Sequence, residues 1–138
     1  MKNIDASLQT LRENDLKITP QRRAVLQTLL NNSTHPSAQD IWDEIRMRNP
    51  KIAFATVYNT LNILSDLGEL KALNVGKNCC LFDPRTDPHR HFCCQKCGNV
   101  IDIETDETCG YELEGHLVCS SQVIYHGECF GCRHSRET

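Results

Sequence analysis

The sequence predicts an α+β protein: an N-terminal winged helix-turn-helix followed by a small α/β domain. Three observations carry this. The first half is a run of amphipathic helical segments closed by an alternating apolar and polar stretch, the second half is cut into short β-like runs, and that half also holds two Cys-x-x-Cys pairs. With 138 residues, 39% hydrophobic and 24% charged, the chain suits one ordinary domain or two small ones sharing a core.

The helices are read from their periodicity and their punctuation. "IDASLQTLREND" places Ile4, Leu8 and Leu11 at helical spacing. In "ITPQRRAVLQTLLNN", Thr19 is the cap and Pro20 takes the first helical position, where a missing amide costs nothing. "HPSAQDIWDEIRMRNP" offers Ser37 as cap with Asp40 three residues on, puts Ile41, Trp42 and Ile45 on one face, and stops at Pro50. In "AFATVYNTLNILSDLG" the buried stripe is Val57, Leu61 and Leu64, and Gly68 ends the helix. "ELKALNVGKNCCLFD" then alternates around Gly76-Lys77-Asn78 as a β-hairpin, which makes the wing.

The second half is read as short strands ("NVIDIE", "SSQVIYHG") around one short helical stretch near "DETCGYELEGHL". "DPRTDP", between Asp83 and Pro88, cannot continue regular structure, and the division into residues 1–83 and 84–138 is placed there. No internal repeat stands out. The N-terminus lacks the apolar stretch and cleavage site of a secretory signal, so a cytoplasmic protein without a membrane span is expected.

Nine cysteines in a reducing compartment call for metal ligation before disulfides. Cys94 and Cys97 are separated by 31 residues from Cys129 and Cys132, and two such pairs on tight turns present four thiolates to a tetrahedral zinc ion. That Zn2+ would be structural, pinning the C-terminal tail to the Cys94 turn and supplying folding energy to a small lobe. Cys93 points to the opposite face of its strand and is no ligand; Cys79, Cys80, Cys109 and Cys119 have no partner spacing. His89 and His91, alternate residues of one strand, share a face. Asp83 and Asp102 flank them, and imidazoles with carboxylates suit iron(II), manganese(II) or zinc, or are simply exposed side chains.

Net charge is −3, divided as +2 through Asn78 (10 Lys/Arg, 8 Asp/Glu) and −5 from Cys79 onward (5 against 10). This favours the N-terminal half for meeting an acidic polymer, by a small margin.

Taken in order, "ITPQRR", "HPSAQDIW", "ATVYNTLNIL", "FD", "HRHFCCQKCG" and "CFGC" resemble the ferric uptake regulator family of metal-dependent repressors over nearly the whole chain. The resemblance implies a winged-helix DNA-binding domain (1–83), a dimerisation and metal-binding domain (84–138), and a homodimer on a palindromic operator of double-stranded DNA. It places the structural zinc on Cys94, Cys97, Cys129 and Cys132. It places a regulatory Fe2+ or Mn2+ on His35, Asp83, His89, His91 and Asp102, of which His35 has no local signal of its own. On DNA it implies Thr56, Tyr58 and Asn59 of the fourth helix, Lys17 toward the minor groove, and Arg22 or Arg23 on phosphate; on local reasoning alone Thr56 and Asn59 are a solvated helix face. Asp102, where iron-sensing members typically carry glutamate, and Asn59, where they often carry arginine, resemble the peroxide-responsive repressor branch. There the implied chemistry is oxidation of a ligand histidine, His35 or His89, by peroxide at iron, a single-use sensor and not an enzyme. The alternatives are an iron- or zinc-responsive repressor of the same family, thiol sensing through Cys79, Cys80 or Cys93, and, from another class, a small metal-dependent hydrolase or redox enzyme using His89 and His91. The 26 residues between Asp102 and Cys129 are short for the family's dimerisation helix, so a trimmed one is expected. Ser120 and Ser121 replace histidines found in many members, and His116 and His126 are the candidates to compensate.

Overall fold

The computed structural model describes residues 3–30, 34–76, 79–85, 87–106, 111–119 and 121–135. The chain forms two compact units, Met1–Thr86 and Asp87–Thr138.

In the N-terminal unit each helix begins on the cap its sequence provides. α1 (Ile4–Glu13) starts at Asn3, whose side chain accepts the Ala6 amide at 2.8 Å, and it buries Leu8 and Leu11. α2 (Pro20–Leu30) starts after Thr19, whose hydroxyl accepts the Arg22 amide at 3.1 Å. α3 (Ala38–Arg46) has a complete capping box: the Ser37 hydroxyl accepts from Asp40 N–H at 3.1 Å, and the Asp40 carboxylate accepts from Ser37 N–H at 3.0 Å. α4 (Phe54–Asp66) ends in a Schellman motif, with Gly68 at φ +75°, its N–H on Ser65 O at 3.0 Å and Glu69 N–H on Leu64 O at 2.9 Å. Val57, Leu61 and Leu64 of α4 are fully buried against Val25, Ile41 and Leu11. Trp42 packs against the edge of this cluster. It is half-buried, because its indole N–H donates to Ile52 O at 3.0 Å and the Arg46 guanidinium lies 4.1 Å above its ring.

The wing is the antiparallel pair β1 (Lys71–Gly76) and β2 (Cys79–Asp83), in register Leu73↔Leu81 and Lys71↔Asp83; Lys77 and Asn78, at its turn, lie outside the described residues. An isolated bridge, Ser37↔Leu81, adds the segment before α3 to the other edge of β2, and Phe82 N–H donates to Pro36 O at 2.8 Å.

The C-terminal unit is built on a three-stranded sheet, β4 (Val100–Ile103), β3 (Arg90–Cys94) and β7 (Ile124–Gly127) in that order, with β3 antiparallel to β4 and parallel to β7. The helical stretch expected near "DETCGYELEGHL" is instead a hairpin over its described part. β5 (Tyr111–Leu113) pairs with β6 (His116–Val118) across Glu114 (φ +50°) and Gly115 (φ +84°). Positive φ at both central residues is what a two-residue hairpin turn requires, and Glu-Gly meets it; the stretch Asp106–Gly110 falls largely outside the described residues. Among the described residues between Asp102 and Cys129 there is no helix, so no trimmed dimerisation helix is found there. A short α5 (Phe130–His134) follows β7.

Leu61→Ala should cost the N-terminal unit roughly 2–5 kcal/mol in urea unfolding, through a cavity at a fully buried site. Ser37→Ala should cost about 1 kcal/mol through loss of the cap.

Candidate metal centres and nucleic-acid interface

The four cysteines converge within the C-terminal unit. Cys94 closes β3 and turns into Cys97, whose N–H faces the Cys94 sulfur at 3.5 Å, with Gly98 at φ +76° completing the turn. Cys129 is the N-cap of α5, its sulfur accepting from Cys132 N–H at 3.5 Å. Parallel pairing of β3 with β7 sets Cys94 beside Gly127, two residues before Cys129, and Gln95 N–H donates to Gly127 O at 2.7 Å. The resulting Cys94–Cys132 and Cys97–Cys129 sulfur separations are both 3.8 Å. Bonds of 2.3 Å from a zinc ion to four tetrahedral sulfurs give an edge of about 3.8 Å, whereas a disulfide needs about 2.05 Å. The donor set therefore fits a structural zinc ion. All four are free of disulfides, and Cys93 stands outside the cluster, buried.

Electrostatics shows why these thiols call for a cation. Amide N–H groups of Cys97 and Cys129 aimed at the Cys94 sulfur hold its pKa down to about 6. The neighbouring Cys129 and Cys94 thiols push Cys132 up to about 12. Four adjacent thiolates repel one another, and a dication removes the conflict.

Each unit also holds imidazole and carboxylate groups close to one another. In the N-terminal unit, the Ser37↔Leu81 bridge continued by two residues brings His35 opposite Asp83, with Nε2 3.5 Å from the carboxylate. In the C-terminal unit, His91 lies directly across the ladder from Asp102, with Nε2 to Oδ1 at 3.5 Å. His89 approaches the same oxygen at 3.6 Å, and the two imidazoles are 4.5 Å apart. His89 Nδ1 lies 2.7 Å from Asp87 O, and since a carbonyl only accepts, Nδ1 donates there, which leaves Nε2 as the nitrogen that could serve an ion. Within each unit taken by itself, spacings near 3.5 Å suit ligand atoms bonded to an ion at about 2.1 Å. His116 and His126 join no metal-ligand cluster among the described residues. Cys109 and the Cys79 side chain lie outside the described residues.

The expected DNA contacts sort into two flanks of α4. Lys17, Arg22, Thr56 and Asn59 line one groove of about 520 Å³, where Arg22 donates to Lys17 O at 2.6 Å and fixes the loop that leads into α2. Tyr58, 45% exposed, lies on the other flank, stacked on Phe54, which in turn meets Trp42 edge-on. Arg23 is exposed on α2 outside that groove. Asn62, three residues on from Asn59, is also exposed on α4.

The sequence profile of the ferric uptake regulator family matches residues 13–120. The peroxide-responsive repressor PerR of Staphylococcus epidermidis is 32% identical over 135 residues, 94% of this chain and 90% of that protein. The crystal structure of the Campylobacter jejuni peroxide stress regulator is similar at a TM-score of 0.68 with 33% identity, covering 91% of this chain and 98% of that one. The Helicobacter pylori ferric uptake regulator Fur, described as having three functional metal binding sites, shares the fold at a TM-score of 0.80 and 22% identity, covering 99% and 97%.

Zinc content measured by mass spectrometry under native conditions should be one ion per chain and should fall to none in Cys132→Ser, with loss of structure in the C-terminal unit. Zinc uptake at pH 7 should release protons, because Cys132 is held protonated until the ion binds while Cys94 is already a thiolate. Affinity should therefore weaken as pH falls, which calorimetry in buffers of different ionisation enthalpy will read.

Proposed function

Because the chain belongs to the ferric uptake regulator family of metal-responsive repressors, we propose that it is a homodimer that grips a palindromic DNA operator while a regulatory Fe2+ or Mn2+ ion is bound and releases it after hydrogen peroxide oxidises a ligand histidine. The main support is the donor geometry: His89 and His91 aim Nε2 at one Asp102 oxygen, and His35 aims Nε2 at Asp83. Three nitrogens and two carboxylates suit iron(II) or manganese(II), whereas the cysteine cluster selects zinc. The peroxide-responsive names of the relatives, together with Asp102 and Asn59, favour that branch.

In this reading the chain's own residues do most of the work. Asp87 fixes the tautomer of His89, and the cross-strand pair holds His91 and Asp102 in place. His35 and Asp83 supply ligands from the N-terminal unit, so the closed arrangement offers more donors than an open one. Regulation follows from that difference, since an ion that bound both arrangements equally would shift nothing. An iron(II) ion held by these residues would relay two electrons from a ligand imidazole to hydrogen peroxide, with no net change in the ion itself. The ring carbon of His35 or His89 gains one oxygen atom while the other leaves as water, and the modified imidazole is a poorer ligand. On DNA, Lys17, Arg22 and Arg23 meet the backbone and minor groove while Thr56, Tyr58 and Asn59 face the major groove.

Manganese should raise affinity for an operator, selected from random duplexes, at least tenfold in gel-shift titrations, and Asp102→Ala should remove the metal dependence; binding indifferent to manganese would defeat the proposal. Iron(II)-loaded protein given about one equivalent of hydrogen peroxide should show a single added oxygen on a peptide containing His35 or His89. Oxidation confined to cysteines would shift the assignment to thiol sensing, and DNA release by chelation alone, with peroxide inert, to an iron- or zinc-responsive repressor.

A further inference from the structure

The solvent side of α4 carries one group that the assignments above leave unused. Ala55, Tyr58, Asn59 and Asn62 are all exposed, at positions i, i+3, i+4 and i+7, while Val57, Thr60, Leu61 and Leu64 are buried on the opposite side. The same spacing is used by the homeodomain recognition helix to read the major groove.

We infer that Asn62 is a second base-reading residue, its carboxamide donating to N7 and accepting from the N6 amine of an adenine beside the base pair met by Asn59. The inference rests on the reading of the chain as a DNA-binding repressor and adds a specificity determinant to it. Asparagine is an unfavourable choice in a helix interior, because it competes for backbone groups and favours caps and turns. Asn62 lies four residues before the end of α4, so it caps nothing. Neither Asn59 nor Asn62 has a side-chain hydrogen bond among the described residues. Both amides are thus presented outward with donors and acceptor unspent. Three residues of helix advance roughly 4.5 Å, close to the ~3.4 Å step between stacked base pairs, so the two side chains address adjacent steps. Adenine offers an acceptor and a donor side by side in the major groove, the complement of a carboxamide. A unit with an excess of only two positive charges through Asn78 gains little from phosphate attraction alone, which gives such base contacts a larger share of the discrimination.

The test is operator selection from a random duplex library with zinc- and manganese-loaded full-length protein, wild type against Asn62→Ala. The variant should lose the preference for adenine at one position in each half-site and bind the wild-type motif roughly ten- to hundred-fold more weakly, with non-specific binding unchanged. Replacing that adenine by 7-deazaadenine should weaken the wild type and leave Asn62→Ala unaffected, a coupling that a merely structural role does not produce. An identical motif and affinity for the two proteins would overturn the inference while leaving the repressor intact. Equal weakening on every sequence would make Asn62 a phosphate contact and overturn it as well. No enriched motif with wild-type protein would sink the repressor reading, and this one with it.

Discussion

The backbone ladder of β3 is the constraint on which the C-terminal unit depends. On one edge it pairs antiparallel with β4, which puts Asp102 opposite His91; on the other it pairs parallel with β7, which delivers Cys129 to Cys94. One strand thus sets the register of two ligand groups of different chemistry. Side chains alternate faces along a strand, so a slip of one residue would turn His91 away and bring Phe92 in its place. The thiol cluster lies just past the end of the same strand, and a zinc ion there would tie the ladder at the point where the chain returns. With few buried apolar side chains among its described residues, Cys93 and Cys94 included, this unit would gain from such a tie order that its own core does not supply.

The N-terminal unit is held differently. Its helices bury a continuous apolar cluster, and polar groups are placed at the ends where backbone amides need partners. Ser7 donates to the buried Glu69 carboxylate at 3.1 Å, joining α1 to the turn after α4. Leu64 serves twice, as a core side chain and as the carbonyl that accepts from Glu69 across the Schellman turn.

Much of this was legible in the sequence because it is local. Thr19, Ser37 and Gly68 announce helix ends through short-range bonds, and the Cys-x-x-Cys spacing encodes a turn that needs no tertiary information. What is non-local was hidden. His35 reaches Asp83 only because an isolated bridge joins residues 37 and 81, a pairing with no periodic signature. The Tyr111–Val118 hairpin imitates a helix at one point, where Leu113 and Leu117 stand four residues apart, while the deciding signal is the two-residue Glu-Gly turn. Trp42 joins the core only in part, because its N–H seeks a carbonyl and keeps one edge at the surface.

Ser37 occupies two structures at once: it caps α3, and its backbone forms the bridge to β2. Between it and His35 stands only Pro36, whose ring fixes φ and whose carbonyl is held by Phe82. The imidazole is therefore mounted on a stiff two-residue crank rather than a slack tether. Tension on that ring arrives at the first turn of α3 and the edge of the wing together, with almost no give in between.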